Sequence, residues 1–214
     1  MGTQIPTEEE LCDSYQVSKA TVRQAVAELV REGFLKRQQG RGTFVIPRVI
    51  PEGLTMRTSF REIMMEAGLK FTTRLLARTV TMMTDDLSLK LDVPEDRHLI
   101  YIKRVRIVDG EPVLLQESWL PHSLCPRLLD ADLEREGLLE LIEKRCGIRI
   151  AKVRDWIGVA EAEPEEAQAL GLAAGTPCLL LEQFFYGPDG QIMYTRSLKN
   201  PDRFRLVIEL ERRT

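Results

Sequence analysis

The sequence predicts an α+β protein in two parts, a short helical segment and then a larger antiparallel sheet with helices between its strands. Apolar residues recur at helical spacing between positions 22 and 30. Further along, the turn sequences Asp109-Gly110 and Pro188-Asp189-Gly190 each join two β-rich runs, which is typical of hairpins. Pro47, Pro51 and Gly53 separate the two patterns and predict a domain boundary near residue 50.

Two closely spaced helices and a hairpin are predicted for the first part. Thr7, followed by EEEL, indicates a helix to about residue 15, because its hydroxyl can accept from free N–H groups while Glu10 completes a capping box. Ser18 repeats this start signal, and Gly33 ends the second helix. The β-prone runs 34–37 and 43–46 flank the sequence QQGRG. The first part is therefore predicted to be a helix-turn-helix followed by a hairpin.

The second part alternates strands with helices. We expect helices over residues 59–67, 85–91, 138–145 and 164–170. We expect strands over residues 71–83, 98–108, 111–120, 148–160, 178–186, 192–198 and 205–210. Because hairpin turns join several of these strands, the pattern favours an antiparallel sheet.

Arg104 and Arg106 lie two residues apart in a predicted strand, so they project from the same face of the sheet. A three-residue loop at 108–110, with its glycine in the left-handed conformation, would add Leu114, Gln116 and Ser118 to this face. A two-residue loop would bring Glu117 there instead, and we favour the first arrangement. Two arginines on a partly apolar face indicate an anion, because an unpaired buried guanidinium is costly. The alternative is an exposed or internally salt-bridged strand face.

Composition excludes several classes of protein. The chain has 214 residues, of which 43% are hydrophobic and 29% charged, as expected for a globular protein. No apolar run approaches the roughly 20 residues of a membrane span, and the start MGTQIPTEEE is not a signal peptide, so we expect a cytoplasmic protein without membrane contact. The four cysteines form no C-x-x-C pair and there are two histidines. We therefore expect buried free thiols, no metal site and no cofactor.

The formal net charge of −3 argues against general coating of nucleic acid, but the charge is unevenly distributed. The basic residues between positions 16 and 45 are Lys19, Arg23, Arg31, Lys36, Arg37 and Arg41. On the second helix, Lys19, Arg23 and Gln24 fall near the N-terminal end, where a helix-turn-helix meets base edges and phosphates. Ser18 and Thr21 add hydroxyls of the kind that hold phosphates. The alternative is an ordinary solvated helix face.

The hairpin favours the nucleic-acid interpretation. Gly40 and Gly42 let its backbone turn with little steric cost, and Arg41 at the tip is suited to a minor groove.

The motifs together resemble a known family. The run IPTEEEL…VSKATVRQAVAELVREGFLKRQQGRGTFV resembles the winged helix-turn-helix of GntR-superfamily transcription regulators over residues 5–45. The segments VRIVDGEPVLLQESWLP, LLELIEKRCGIRI, EEAQALGLAAGTPCLLLEQ and YTRSLKNPDRF resemble UTRA, the effector-binding domain of the HutC subfamily, which has a chorismate-lyase-like fold. The resemblance implies a DNA-binding domain over residues 1–48, a linker over 49–57, and a UTRA effector-binding and dimerisation domain over 58–214.

The resemblance also implies roles in the first domain. Thr7 and Glu8 would cap a helix that touches the DNA backbone, Lys19 and Arg23 would reach the major groove, and the wing at 40–43, from Gly40 to Thr43, would lie beside the minor groove. Lys19 stands where arginine is usual, and Glu9 stands where many relatives have arginine. Relatives carry a first helix ahead of this motif, whereas only MGTQ precedes Ile5. We therefore expect a domain that lacks this helix.

Without that helix, we also expect apolar residues such as Leu11, Val22 and Leu29 to be exposed.

In UTRA domains an R-x-R pair grips a phosphate or carboxylate beside a helix start, which the resemblance maps onto Arg104, Arg106 and Ser59-Phe60-Arg61. Gln116 replaces the family's acidic residue, and Lys199 replaces a tyrosine. A serine and a tyrosine of sugar-phosphate sensors align with Gly137 and Leu139. We further expect Tyr194 and Arg196 to line the pocket.

The sequence as a whole predicts a ligand-responsive DNA-binding transcriptional regulator, a homodimeric repressor released by an anionic small-molecule effector. Its expected partners are a double-stranded DNA operator and a phosphorylated or carboxylated metabolite. Two alternatives remain open, an enzyme on a chorismate-lyase-like fold and a truncated sensor that does not bind DNA. Glu117, Glu182 and Arg106 are the residues that an enzyme would use, although no nucleophile–base or paired-carboxylate arrangement is evident. We therefore expect no catalytic residue.

Overall fold

The computed structural model describes residues 3–31, 34–45, 50–52, 60–93 and 97–206. The chain divides into two compact units, Met1–Val49 and Ile50–Thr214. Gly33, Ser59 and the greater part of the expected linker at 49–57 lie outside the described residues. No described helix has the length and apolar character that a membrane crossing requires.

Unit 1 contains two helices and a hairpin, as predicted. Its elements are α1 (Glu8–Tyr15), α2 (Lys19–Arg31), β1 (Leu35–Gln38) and β2 (Gly42–Val45). The strands pair antiparallel, with Leu35 opposite Val45 and Gln38 opposite Gly42. A small core of Val22, Val26 and Leu35 joins α2 to the hairpin.

Unit 2 is built around a six-stranded antiparallel sheet. Its strands are β3 (Ile50–Glu52), β4 (Phe71–Met82), β5 (His98–Val108), β6 (Glu111–Pro121), β7 (Lys152–Glu161), β8 (Pro177–Gly187), β9 (Gly190–Lys199) and β10 (Phe204–Leu206). Its helices are α3 (Phe60–Glu66), α4 (Asp85–Ser88), α5 (Leu138–Cys146) and α6 (Pro164–Leu170), with a 3-10 helix at Pro126–Asp130. The large sheet has the order β4-β5-β6-β9-β8-β7, and β10 pairs parallel with β3. The predicted α+β class is confirmed.

Hydrophobic cores lie on both faces of this sheet, because alternate residues of each strand point to opposite sides. On one face, α5 and the 3-10 helix pack on Ile100, Ile102 and Phe185. On the other face, α6 packs on Val105, Leu115 and Leu198.

Two predicted elements differ from the structure, and a third lies partly outside the described residues. The helix expected over 85–91 is α4, four residues long, which Thr84 caps by accepting from the backbone N of Leu87. The strand expected from 148 begins at Lys152, because Ile148 and Ile150 instead pack against the core under α5. The strand expected over 205–210 is described only as Phe204–Leu206.

Cys125 and Cys146 form a disulfide, with their Cα atoms 5.5 Å apart, so the expectation of four free thiols is wrong for these two. The end of α5 lies against the start of the 3-10 helix, which brings two cysteines 21 residues apart in sequence to bonding distance. Cys12 and Cys178 are free, and Cys178 is buried.

The hairpin of β5 and β6 corrects one prediction and confirms another. Its loop has two residues, Asp109-Gly110, both with positive φ, and not the three that we favoured. One extra residue, Val113, then shifts the register between β5 and β6. Arg106 therefore pairs with Leu114 and Arg104 with Gln116. The expected face is present, but a bulge within the strand produces it.

Candidate functional site

The helix α1 begins at a capping box. Thr7 Oγ1 accepts from the backbone N of Glu10 at 3.3 Å, and the Glu10 carboxylate accepts from the backbone N of Thr7 at 2.7 Å. The backbone N–H of Thr7, followed by its hydroxyl, donates to the Glu10 carboxylate and holds the pKa of Glu10 below its usual value. The hydroxyl of Thr7 is thus engaged in its own helix start.

The N-terminal end of α2 presents the residues that were predicted to meet DNA. Ser18, Lys19, Thr21, Arg23 and Gln24 are all exposed. Ser18 Oγ accepts from the backbone N of Thr21 at 3.2 Å, and the hydroxyls of Ser18 and Thr21 share a hydrogen bond of 2.8 Å. Ser18 therefore caps α2, and the Thr21 hydroxyl is bonded to this cap.

Two carboxylates of α1 pair with the basic residues around α2. Glu8 Oε2 accepts from Arg23 Nε at 2.8 Å, and Glu8 Oε1 accepts from an Arg37 terminal nitrogen at 2.8 Å. Glu9 pairs with Lys19 at 3.1 Å. The hydrogen bond from Arg23 holds the pKa of Glu8 below its usual value, and the same pair raises the pKa of Arg23. Lys19, Arg23 and Arg37 each therefore have an acidic neighbour.

The hairpin tip has the backbone that its glycines predicted. Gly40 has φ +73° and Gly42 has φ +117°, values that favour glycine. A Cβ atom at Gly42 would collide with the side chain of Gln4, which donates to the carbonyl of Arg41 at 3.1 Å. The side chain of Arg41 is exposed at the tip, and Thr43 is half-buried in β2.

The expected exposure of apolar residues in unit 1 is wrong for Val22. Val22 is buried, because it packs with Val26 and Leu35 in the core beneath α2. Leu11 is half-buried against the same core, and Leu29 is 40% exposed. The expectation of exposure is thus confirmed for Leu29 and holds in part for Leu11.

A cavity of about 320 Å³ lies on one face of the large sheet. The strands form its floor, while α3 and residues 134–140, including the start of α5, contribute further lining. Arg104 and Arg106 on β5 lie at one end, and Asp155 on β7 lies at the other end. The arrangement is polar in the middle and basic at the β5 end, which suits an anion there.

Arg104 is 1% exposed, and its hydrogen bonds to described residues go to neutral groups. It donates to Gln116 Oε1 at 2.9 Å and to the carbonyl of Leu133 at 3.4 Å. Its Nε has no hydrogen-bond partner among the described residues. Burial lowers the pKa of Arg104 well below its usual value, and the charge of Arg106 lowers it further. Within the described residues, no carboxylate pairs with this cation.

Arg106 is 8% exposed and is in the same situation. It donates to Thr73 Oγ1, and its guanidinium lies 5.3 Å from the centre of the Phe60 ring. Its Nε also has no partner within the described part of the chain. Burial lowers the pKa of Arg106 to about 10, with the charge of Arg61 as a further cause. An anion bound here would relieve both costs.

Helix α3 brings Phe60 and Arg61 to the cavity. Phe60 packs edge-on against Phe71, with ring centres 5.5 Å apart. Arg61 donates to the carbonyl of Arg135 and lies over the Phe71 ring at 5.4 Å. Ser59, the third predicted residue of this group, lies outside the described residues.

Tyr194 and Arg196 do not line the cavity, so that prediction is wrong. Their neighbours Thr195 and Ser197 line it, and alternate residues of β9 point to opposite faces of the sheet. The Tyr194 hydroxyl donates to Glu182 at 2.5 Å, and Arg196 pairs with Glu166 and Glu117. These residues form an ion-pair network on the opposite face.

The cavity includes residues that the sequence reasoning missed. The polar residues among them are Thr73, Glu134, Glu136, Glu140, Asp155, Gln183, Thr195 and Ser197. Gln183 donates to Asp155 Oδ1 at 3.1 Å, and Ser118 and Thr195 share a hydrogen bond of 3.1 Å. Strand alternation places Thr195 and Ser197 on one face of β9, and the pairing of Ser197 with Gln116 makes it the cavity face.

The residues nominated for an enzyme are not brought together. Arg106 lines the cavity, whereas Glu117 and Glu182 lie on the opposite face with Arg196 and Lys90. No nucleophile and base meet in this set.

Two family models match the chain. One is described as bacterial regulatory proteins, gntR family, and matches residues 1–45. The other is the UTRA domain, which matches residues 66–205.

Individual proteins and structures agree with these matches. The HTH-type transcriptional repressor NagR of Bacillus subtilis (strain 168) is 30% identical over 209 residues, which cover 97% of this chain and 86% of NagR. The "Probable fructoselysine utilization operon transcriptional repressor" of Escherichia coli (strain K12) is 28% identical over 99% of this chain and 87% of that protein. The crystal structure of PhnF from Mycobacterium smegmatis superposes with a TM-score of 0.75 and 31% identity, covering 99% of this chain and 94% of PhnF.

Proposed function

This chain belongs to the gntR family of bacterial regulatory proteins, and from that premise we propose which surfaces and ligands serve its function. It is a ligand-responsive DNA-binding transcriptional repressor with a UTRA effector-binding domain, and not an enzyme. Its effector is an anionic small molecule, a phosphorylated or carboxylated metabolite, bound in the cavity of unit 2. Its operator is bound by the N-terminal end of α2 and by the hairpin tip.

One observation carries the effector proposal. Arg104 and Arg106 are both more than nine-tenths buried, donate only to neutral groups, and each keep an Nε without a partner among the described residues. Two adjacent buried cations repel each other, and a bound anion offsets that cost. Phosphate and carboxylate oxygens match the donors of a guanidinium, which favours these two ligand classes.

The effector proposal is tested by thermal unfolding with inorganic phosphate, phosphorylated sugars and carboxylates. We expect the protein to be stabilised by about 2.7 kcal/mol when a ligand is present at 100 times its dissociation constant. Arg104→Met should abolish this stabilisation while leaving the melting temperature of the ligand-free protein unchanged or higher, because a costly buried charge is removed.

The matched control is Arg74→Met, an exposed arginine on β4 of the same sheet. This variant should respond to anions as the wild type does. Stabilisation by neutral compounds alone, or an anion response that survives in Arg104→Met, would refute the anionic effector.

The operator proposal is tested by fluorescence anisotropy with the upstream region of the protein's own gene. Affinity for that duplex should fall steeply between about 50 mM and 200 mM salt, since Lys and Arg displace counterions from the phosphates. An anion response without sequence-specific DNA binding would instead indicate a sensor that does not act on DNA.

We also propose that the repressor acts as a homodimer in the cytoplasm, because helix-turn-helix proteins read two-fold related half-sites. Sedimentation equilibrium measures the assembly. A monomer under conditions of specific operator binding would contradict this proposal.

A further inference from the structure

Glu8 occupies an unusual position in unit 1, because one carboxylate joins three elements. It lies in the first turn of α1, its Oε2 accepts from Arg23 of α2, and its Oε1 accepts from Arg37 of β1, both at 2.8 Å. The Glu8 side chain is 28% exposed, whereas those of Arg23 and Arg37 are 63% and 51% exposed. The acid is thus the inner member of the trio.

The bond to Glu8 leaves a specific part of Arg23 available. Its Nε is engaged, and within the described part of the chain its two terminal nitrogens make no other hydrogen bond. Those two nitrogens form the end-on fork that donates simultaneously to O6 and N7 of guanine. A guanidinium held at Nε has fewer orientations to lose when it meets a base.

The neighbouring Glu9 provides a contrast on the same helical turn. It pairs with Lys19 at 3.1 Å, and the two side chains are 82% and 50% exposed. An exposed ion pair of this kind holds its two side chains only weakly in one orientation, because water competes for both partners. Among the described residues, Glu9 pairs with Lys19 alone, whereas Glu8 connects α2 with β1.

We propose that Glu8 is a positioning residue for operator recognition, which orients the guanidinium of Arg23 toward a guanine edge and holds Arg37 beside it without contacting DNA itself. The inference rests on the proposed function, in which the N-terminal end of α2 faces the operator. The Glu8 carboxylate would then have two opposite effects on DNA binding. Its negative charge repels DNA phosphates and weakens binding to any sequence, while its hydrogen bonds sharpen discrimination between sequences.

The test compares Glu8→Gln with Glu9→Gln, two isosteric changes that each remove one negative charge from the same turn. Sequence preference is measured by selection from a random duplex pool of about 20 base pairs, and affinity by anisotropy. Glu9→Gln should bind every duplex more tightly, by about threefold, with an unchanged base preference. Glu8→Gln should lower the ratio of selected to random affinity about tenfold.

The base pair at which a variant loses its sequence preference shows whether Glu8 acts through Arg23. Arg23→Lys removes the fork and should relax one base pair of the selected sequence. Glu8→Gln should relax that same base pair. A Glu8→Gln profile that matches the wild type, or that matches Glu9→Gln, overturns the positioning role.

Failure of the proposed function has a different signature. If Arg23→Lys also keeps the wild-type profile, or if the wild type selects no sequence, the DNA-facing role of α2 itself is refuted. Folding of each variant is checked by thermal unfolding and by its response to inorganic phosphate in unit 2. If Glu8→Gln does not fold, Glu8→Asp keeps the charge but shortens the side chain, and it should relax the same base pair.

Discussion

Individual arginines in this protein differ chiefly in what surrounds them. Arg104 is buried against neutral acceptors, Arg196 is paired with two carboxylates, and Arg23 is exposed beside one. A buried cation without a counter-charge lowers the stability of the fold, and so does the breaking of a buried ion pair. An exposed ion pair contributes little to the free energy of folding. The same residue type is therefore suited to a ligand site, to a structural network and to a surface that meets a partner.

The network of Arg196 yields a residue-scale prediction. Arg196→Ala leaves the largely buried Glu166 without its cation, whereas Glu117 keeps Lys103 at 3.4 Å. We expect the free energy of unfolding, measured with urea, to fall by about 3 kcal/mol, because the buried carboxylate of Glu166 loses its counter-charge. Stabilisation by anions should persist, since Arg196 lies on the face opposite the cavity. A variant of normal stability that no longer responds to anions would contradict this assignment.

At the scale of the elements, the pairing of β5 with β6 determines which side chains line the cavity. The two-residue turn at Asp109-Gly110 alone would put Glu117 on the face of Arg104 and Arg106. The extra residue Val113 offsets the turn by one position, so that Gln116 takes that place. The composition of the site therefore depends on a bulge several residues away from it.

Deletion of Val113 tests this dependence. With the bulge removed, we expect β6 to shift by one residue, Gln116 to leave the cavity face, and the anion-dependent rise in melting temperature to be lost. Val113→Ala is the matched control, because it keeps the register. It should cost about 2 kcal/mol of stability through lost burial and retain the anion response. An unchanged response in the deletion variant would refute the role of the bulge.

The cap of α1 gives a smaller prediction at the same scale. Thr7→Ala removes the hydroxyl that accepts from the backbone N of Glu10. We expect unit 1 to lose about 1 kcal/mol of stability, as measured by urea unfolding followed by circular dichroism. Thr7→Ser is the control, since serine restores the acceptor and should return most of the loss.

Sequence patterns predicted the helices and hairpins well, because caps and turns act over a few residues. The capping box at Thr7 and Glu10 and the hairpin turn at Asp109-Gly110 are local signals of this kind. The bulge at Val113 was not predictable, since it depends on how two complete strands pair. The same limit applies to Tyr194 and Arg196, whose orientation follows from the register of β9 with its neighbours.

At the scale of the whole molecule, repression requires that effector and operator influence each other's binding. Such coupling is a free energy and is reciprocal, so each ligand changes the affinity of the other by the same factor. The anion that raises the melting temperature most should weaken operator binding about 5–150-fold, and the operator should weaken the binding of that anion by the same factor. Titration calorimetry and anisotropy measure the two directions. In Arg104→Met neither ligand should affect the other, and unequal factors in the wild type would contradict a single coupled equilibrium.

Along β9, whether a position is odd or even in number decides which face of the sheet its side chain belongs to. Odd-numbered positions from Met193 to Lys199 line the cavity, and Tyr194 and Arg196 between them belong to the ion-pair network. A change of strand length by one residue would exchange these two sets, whereas a change by two would restore them. Effector specificity on this sheet can therefore diverge through substitutions or paired length changes, and a single-residue gap in an alignment of relatives marks a position where the ligand class should be reconsidered.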